Sequence, residues 1–310
     1  MLDLYAAIWR VSGRRQVILI CLSLAIAGLA AVPLSYQKEI VNALTRGDLA
    51  TAELYRLGAG MMGVVLLSLA LKWLVSFRSG VLGEDIIRLI RQRVYERSVD
   101  GLQQAGETVS KGTLSTAISA ESEELGKFTG GAFSEPVVQI GTLVTVIGYI
   151  ASTQPGLGAI ALAMIIPQVV LVLTTQRKIN ALVAERVHVL RRATNQIINR
   201  EAQGMVQSIL DDFDRIFETR RRMFIWKLST KFALSALNGA GTVAVLMLGG
   251  WLVLQGRTDV GTVVAATIGL GRLQAPTAFL IAFYRQVSAT RVKFELLRAV
   301  MEPPEAKTGR

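Results

Sequence analysis

Six apolar stretches, each about as long as a bilayer's hydrocarbon core is thick, constrain this chain more than any other feature. They fall near residues 17–36, 57–77, 137–152, 156–175, 232–254 and 261–283. About 20 apolar residues in a helix cross this core, and a helix satisfies its own backbone hydrogen bonds there. The mean hydropathy of +0.43 agrees with a membrane location. The sequence predicts an all-α polytopic membrane protein with six transmembrane helices.

Basic residues are divided unequally between the two ends of these helices. The termini and the long connections after the second and fourth spans hold 28 of the 34 lysines and arginines, and the opposite side holds four. Such an excess marks cytosolic segments. We therefore expect both termini and both long connections to be cytosolic, in the inner (plasma) membrane of a bacterium. The net charge of +11 then reflects membrane topology, and we expect contact with membrane lipids and no nucleic-acid binding.

The longer connection, residues 176–231, has a helical pattern of apolar residues and only one glycine, Gly204. The predicted stripe consists of Ile179, Val183, Val187, Leu190, Ile197, Val206, Ile209, Phe213, Phe217 and Phe224. We expect two helical arms that meet at a turn within residues 204–214. Arms of roughly 24 residues would reach about 36 Å from the membrane.

The shorter connection, residues 78–135, predicts a second cytosolic arm. Its apolar stripe comprises Leu82, Ile86, Leu89, Ile90 and Val94, and a further helix is expected over residues 114–125. The fold class is therefore six transmembrane helices extended by long cytosolic helical arms. The lone Cys21 and the lone His188 offer no disulfide framework and no metal cluster.

Two cations lie within predicted spans, where a charge costs about 2.5 to 3.5 kcal/mol on insertion scales. Lys72 is close enough to the cytosolic boundary to extend its ammonium group to the surface. Arg272 is near the middle of the sixth span, followed by Pro276, which frees a backbone carbonyl and is expected to kink the helix.

The arrangement of spans and arms, with an exit segment Arg291-x-x-x-Glu295-Leu296-Leu297 and then Pro303-Pro304-Glu305, resembles the transmembrane domain of an exporter-type ABC transporter. The resemblance covers residues 1–302 and leaves 303–310 as a tail or a truncated linker. It implies a permease subunit that forms the translocation pathway of an ATP-driven transporter. It also implies a homodimer or a heterodimer with a related six-span chain, coupled to separate nucleotide-binding (ATPase) subunits.

ATPase motifs do not occur in this sequence. The nearest approach to a phosphate loop is Gly126-Lys127, but Glu121 and Phe128 stand where the loop needs Gly and Ser or Thr. A Leu-Ser-Gly-Gly signature is also missing. We therefore expect no enzymatic activity and no cofactor in this chain, with ATP and Mg bound by the partner subunit.

In the resembling family each arm tip carries a short coupling helix that lies on a nucleotide-binding domain. By position, the two tips correspond to Leu114, Ser115 and Thr116, and to Ser208, Ile209, Leu210, Asp211, Asp212 and Phe213. The sequence departs from the family where Thr116 replaces a frequent arginine and Asp212 a frequent lysine. Phe213 is either an exposed anchor for the partner or a residue folded back onto its own arms.

The resemblance also implies that the fifth and sixth spans line the translocation pathway. We hypothesise that Asn238, Arg272 and Gln274 face it and that Arg272 favours an anionic group on the cargo. The alternative for Arg272 is an ion pair with a carboxylate of a partner subunit.

Other functions remain open at this level. An ATPase-free membrane scaffold, a sensor or a channel with the same six helices is the main alternative. The fourth span has no charged residue, which argues against a voltage sensor. The ATPase can be encoded separately or continue the same polypeptide. The cargo and the direction of transport are not encoded in any motif.

Overall fold

A computed structural model describes residues 2–47, 50–104, 121–198 and 206–301. Nine helices occupy these ranges and no strand occurs in them: α1 (Leu2–Leu29), α2 (Val32–Arg46), α3 (Thr51–Gln104), α4 (Ser122–Gly131), α5 (Ser134–Thr153), α6 (Pro155–Ile198), α7 (Val206–Leu254), α8 (Val260–Arg272) and α9 (Gln274–Met301). Within the described ranges, six helical stretches are long and apolar enough to cross a membrane. The predicted fold class is thus confirmed.

The first and sixth spans are each interrupted near the middle. α1 ends at Leu29 and α2 begins at Val32, with Pro33 in its first turn. The sixth span breaks at Leu273, whose N–H donates to Leu270 O at 3.2 Å. Pro276 has no N–H to donate to the carbonyl of Arg272, four residues earlier, so the helix cannot continue unchanged. The predicted effect of Pro276 is confirmed.

The helices group into two compact units, the first comprising Met1–Tyr149 with Asp259–Arg310 and the second Ile150–Thr258. The core of the first unit is a cluster of buried apolar side chains from α1, α3, α4 and α9. Four of the five residues of the predicted α3 stripe belong to this core and are each at most 9% exposed: Leu82, Ile86, Ile90 and Val94. The fifth, Leu89, is half-buried. This part of the arm prediction is therefore confirmed.

Glycines allow α4 to lie directly on α3. A Cβ atom at Gly126 would stand 2.8 Å from Gly83 O, and one at Gly130 would overlap the carbonyl oxygen of Ser79. The four-residue spacing of Gly126 and Gly130 therefore brings the two backbones together. Gly239 in the fifth span and Gly271 in the sixth behave differently, since a Cβ atom at either would meet nothing within 4 Å. At Gly261, where the sixth span begins, a Cβ atom would overlap the carbonyl oxygen of Lys38.

In the first unit, hydrogen bonds and an ion pair join the outer ends of α2 and α8. Asp259 caps α8 by accepting a hydrogen bond from the Thr262 N–H at 2.6 Å, and its carboxylate lies 3.5 Å from Lys38 Nζ. Asn42 Oδ1 accepts a hydrogen bond from the Gly261 N–H at 2.8 Å. Burial alone would raise the pKa of Asp259, but the hydrogen bonds from Thr262 and Asn42 and the charge of Lys38 lower it overall.

The second unit is an antiparallel pair, α6 and α7, joined by side-chain contacts along its length. From one end to the other, the contacts are Gln168–Asn238 at 2.9 Å, Thr175–Thr230 at 2.9 Å, Lys178 over the Trp226 ring at 4.1 Å, and Glu185–Arg215 at 3.1 Å. The segments 176–198 and 206–231 continue the spanning helices for about 35 and 39 Å. These lengths match the predicted arms.

Two details of this arm differ from the sequence prediction. Residues 206–214 are helical and belong to α7, so the turn predicted over 204–214 is wrong for them. No proline or glycine lies in this segment to end a helix. The stripe predicted for α7 is also wrong, because Phe213, Phe217 and Phe224 are exposed while Thr219 and Met223 are buried. The buried face is rotated away from the most apolar one.

Candidate functional site

Arg272 connects the two interrupted spans of the first unit. Its Nη1 donates a hydrogen bond to Ala30 O at 3.1 Å. In a continuous helix the Leu34 N–H would donate to this oxygen, but here it donates to Ala31 O instead. The carbonyl exposed by one helix break is thus bound by the arginine that precedes the other. This carbonyl is a partner that the sequence analysis did not consider.

A cavity of about 530 Å³ surrounds this hydrogen bond. Its polar wall consists of Arg272, Lys72, Ser68, Gln139 and Thr142, and the remainder is apolar, including Leu29, Pro33 and Pro276. The described wall carries two cations and no carboxylate. Within the described residues of this wall, nothing neutralises the charge of Arg272. The cavity is therefore suited to an anionic or polar group at membrane depth.

The structure adds residues to this site that sequence reasoning missed. Ser68, Gln139 and Thr142 are among the few polar residues of the mainly apolar second and third spans. Their polarity within apolar spans is the sequence signal that could have identified them as cavity residues. Lys72, which was expected to reach the membrane surface, lines the same cavity as Arg272.

The other two residues predicted for the pathway have different surroundings. Asn238 belongs to the second unit, where its Oδ1 accepts a hydrogen bond from Gln168 Nε2, and Gln168 is only 6% exposed. Gln274 is exposed at the start of α9 and is not among the described residues of the cavity wall. The structure thus brings Arg272 together with Lys72, not with Gln274.

The arm end of the second unit presents apolar side chains outward. Leu210 and Phe213 are 49% and 45% exposed, whereas Asp212 is 3% exposed. The Glu185–Arg215 ion pair joins α6 and α7 beside them. Of the two readings for Phe213, the described chain has its side chain exposed, which suits an anchor for a partner.

Part of the predicted coupling surface lies outside the described residues. Leu114, Ser115 and Thr116 fall in the range 105–120, which the structure does not describe. Ser208 and Ile209 belong to the first turn of α7, but their side chains lie outside the description. Asp211 is exposed on the same turn as Leu210.

Six membrane-spanning stretches, with helical arms that extend them and a cationic cavity within the first unit, define a polytopic α-helical membrane protein with the architecture of a transporter domain. The family model of the ABC transporter transmembrane region matches residues 17–277. The chain therefore belongs to the family of ABC transporter transmembrane regions, and the resemblance to the exporter type is confirmed. It is a permease-type subunit, whose family is a transport domain and not itself catalytic. Comparison with curated proteins gave no match.

Proposed function

We propose that this chain forms the translocation pathway of an ATP-driven transporter and is coupled to separate nucleotide-binding subunits. The observation that carries the proposal is the braced arm, α6 with α7, which ends in the exposed Leu210 and Phe213. An apolar patch on an extramembrane helix end is a common form of protein-binding surface. ATP and Mg would be bound by the partner, in a bacterial inner membrane with both termini of this chain cytosolic.

The contacts between α6 and α7 support a mechanical role for this arm. Cross-helix contacts occur from Gln168–Asn238, within the spans, to Glu185–Arg215, near the tip. A helix pair joined at several levels transmits a displacement of its tip to the membrane as a rigid body. When ATP draws two nucleotide-binding subunits together, the tips follow. The spans then tilt between inward-open and outward-open states.

The exposed face of α7 supports assembly with a second six-span chain. Phe217, Phe224 and Leu228 are 67%, 54% and 65% exposed in a segment predicted to lie outside the membrane. Aromatic side chains in water are unfavourable by about 1.5 to 3 kcal/mol each relative to burial. A homodimer or heterodimer partner that buries these side chains would remove this unfavourable free energy. The family relationship leads us to expect such a partner.

The proposed pathway centres on Arg272, which would favour an anionic group on the cargo. Its cavity has no described carboxylate, which supports this role. Asn238 and Gln274 remain proposed pathway residues, although the Gln168 hydrogen bond gives Asn238 a structural function as well.

The proposal is tested by capturing the tagged full chain from its native membrane and measuring ATP hydrolysis of the capture in lipid. We expect a co-purifying nucleotide-binding subunit and Mg-dependent hydrolysis. A clean homo-oligomer without an ATPase would contradict the proposal and favour the alternative of a membrane scaffold, sensor or channel.

Phe213→Ala tests the coupling surface. Loss of an exposed interface anchor typically weakens a complex by 2 kcal/mol or more, roughly 30-fold in affinity. We expect reduced capture of the ATPase subunit with unchanged folding. Leu254→Ala is the control, because Leu254 is 89% exposed at the opposite end of the same helix. Equal capture by both variants would remove Phe213 from the coupling surface.

A further inference from the structure

A second cavity lies between α1 and α3, at the end of the first and second spans where the basic residues collect. Its volume is about 910 Å³, and its wall includes Arg10, Arg14, Arg15 and Arg88. The one carboxylate among the described lining residues is Asp85, which pairs with Arg15. Four guanidinium groups and one carboxylate leave a formal charge of +3 on this wall.

A smaller cavity of about 220 Å³ adjoins the first, and the two share Arg15, Leu82 and Asp85. Its other lining residues are Ile18, Leu19, Val81 and Arg78, so it is mainly apolar. Compared with the cationic cavity, the smaller cavity is lined by later residues of α1 and by earlier residues of α3. Both directions lead toward the predicted spans 17–36 and 57–77. The apolar cavity is therefore on the membrane side of the cationic one.

The aromatic lining agrees with a position at the membrane surface. Trp9 lines the cationic cavity, is 46% exposed and packs its ring edge-on against Phe133, with centroids 5.6 Å apart. The Trp9 ring also lies 3.5 Å from the position that a Cβ atom at Gly13 would occupy, so the Gly13 backbone packs closely against the ring. Tryptophan is enriched at the level of lipid headgroups because its ring is amphipathic.

We propose that these two cavities bind one anionic phospholipid of the leaflet that the basic residues face. The headgroup phosphate lies among Arg10, Arg14 and Arg88, and the first part of an acyl chain lies between Ile18 and Val81. A basic pocket between transmembrane helices is a known form of anionic headgroup site, and a volume of about 910 Å³ falls in the range of ligand pockets. The apolar extension favours a lipid over a soluble anion.

This assignment does not depend on the proposed transport function, since no ATPase partner takes part in it. It concerns residues that the mid-membrane cavity around Arg272 does not include.

The test uses the purified full chain in phosphatidylcholine nanodiscs that contain phosphatidylglycerol as the probe. Native mass spectrometry of the chain released from the nanodiscs counts the lipid molecules that stay bound. A phosphatidylcholine of distinct mass at the same mole fraction gives the nonspecific background. We expect saturable retention of one phosphatidylglycerol that weakens as salt is raised before release.

The variant Arg14→Gln with Arg88→Gln should weaken this binding roughly 25-fold, at about fivefold for each arginine near an anionic headgroup. The control variant, Arg220→Gln with Lys227→Gln, removes the same charge from α7 and should leave phosphatidylglycerol binding unchanged. Arg14→Lys with Arg88→Lys keeps the charge and should retain most of the binding, which guards against a misfolded glutamine variant.

Three results would overturn the proposal. The first is equal retention of both lipids by the wild type, and the second is an equal loss of phosphatidylglycerol in the α7 control. The third is displacement of phosphatidylglycerol by millimolar inorganic phosphate together with unchanged lipid binding in Ile18→Asn, which would identify a site for a soluble anion.

Discussion

Replacing Arg272 with methionine separates a structural role of this arginine from a functional one. The substitution removes the hydrogen bond to Ala30 O, and a hydrogen bond from a charged group contributes about 1.5 to 3 kcal/mol. It also removes a half-buried charge from membrane depth, which costs about 2.5 to 3.5 kcal/mol on insertion scales. The two effects oppose each other and nearly cancel. We expect the stability of Arg272→Met to lie within about 1 kcal/mol of wild type.

Stability is measured by reversible unfolding of the full chain in lipid–detergent micelles, and function by ATP-dependent transport in the captured complex. Arg257→Met is the matched control, because Arg257 is exposed in the connection between α7 and α8 and is not among the described residues of the cavity wall. We expect Arg272→Met to fold normally and to lose transport of anionic cargo, whereas the control retains most of it.

A loss of more than about 2 kcal/mol in Arg272→Met would refute this reasoning, since it would mean that the hydrogen bond to Ala30 outweighs the cost of the buried charge. Normal transport by a stable Arg272→Met variant would remove the cargo-contact proposal. Arg272→Lys distinguishes a requirement for positive charge from a requirement for the guanidinium group. It keeps a charge and a donor but loses the planar geometry of that group.

Three further predictions concern the fold. Gly126→Ala should destabilise the protein by about 1 to 3 kcal/mol in thermal unfolding, because its methyl group overlaps Ile87 and the Gly83 carbonyl; Gly239→Ala, which meets nothing within 4 Å, should not, and equal effects would contradict the α3–α4 contact. The lowered pKa of Asp259 stabilises the fold above the ordinary aspartate pKa of about 3.9, and this contribution is lost as the pH falls below it. The melting temperature should therefore decline below that pH in wild type and less so in Asp259→Asn; parallel declines would exclude this group. Glu185→Gln should lower stability by less than about 1 kcal/mol, because the Glu185–Arg215 pair is exposed, and a larger loss in unfolding measurements would show that it braces the arm more strongly than an exposed ion pair does.

Long apolar runs and their spacing predicted most of the fold. The stripe of α3 was correct because its apolar residues face the core of their own unit, as Val94 at 1% exposure illustrates. The stripe of α7 failed for the opposite reason. Its most apolar face, with Phe217, is exposed in the single chain, and the contact with α6 uses Thr219 and Met223. Periodicity locates an apolar face but does not identify what covers it.

Close backbone contacts were harder to predict than spans. The sequence contains 28 glycines, and only the packing of α4 on α3 distinguishes Gly126, where a Cβ would clash, from Gly239, where it would not. The partner of Arg272 was missed for a related reason. Ala30 O becomes an acceptor only because the first span breaks there, and it is 242 residues away in sequence.

The hydrogen bond of Arg272 explains its orientation but not its charge. A carbonyl oxygen accepts one of the five N–H groups of a guanidinium and neutralises none of its charge. Helix breaks in the first and sixth spans therefore fix the side chain on the cavity wall, where Lys72 adds a second cation. A neutral donor would satisfy the same carbonyl without the cost of burying a charge. The positive charge at this depth is consequently best explained by an anion that enters the cavity from outside this chain, whether on the cargo or on a partner subunit.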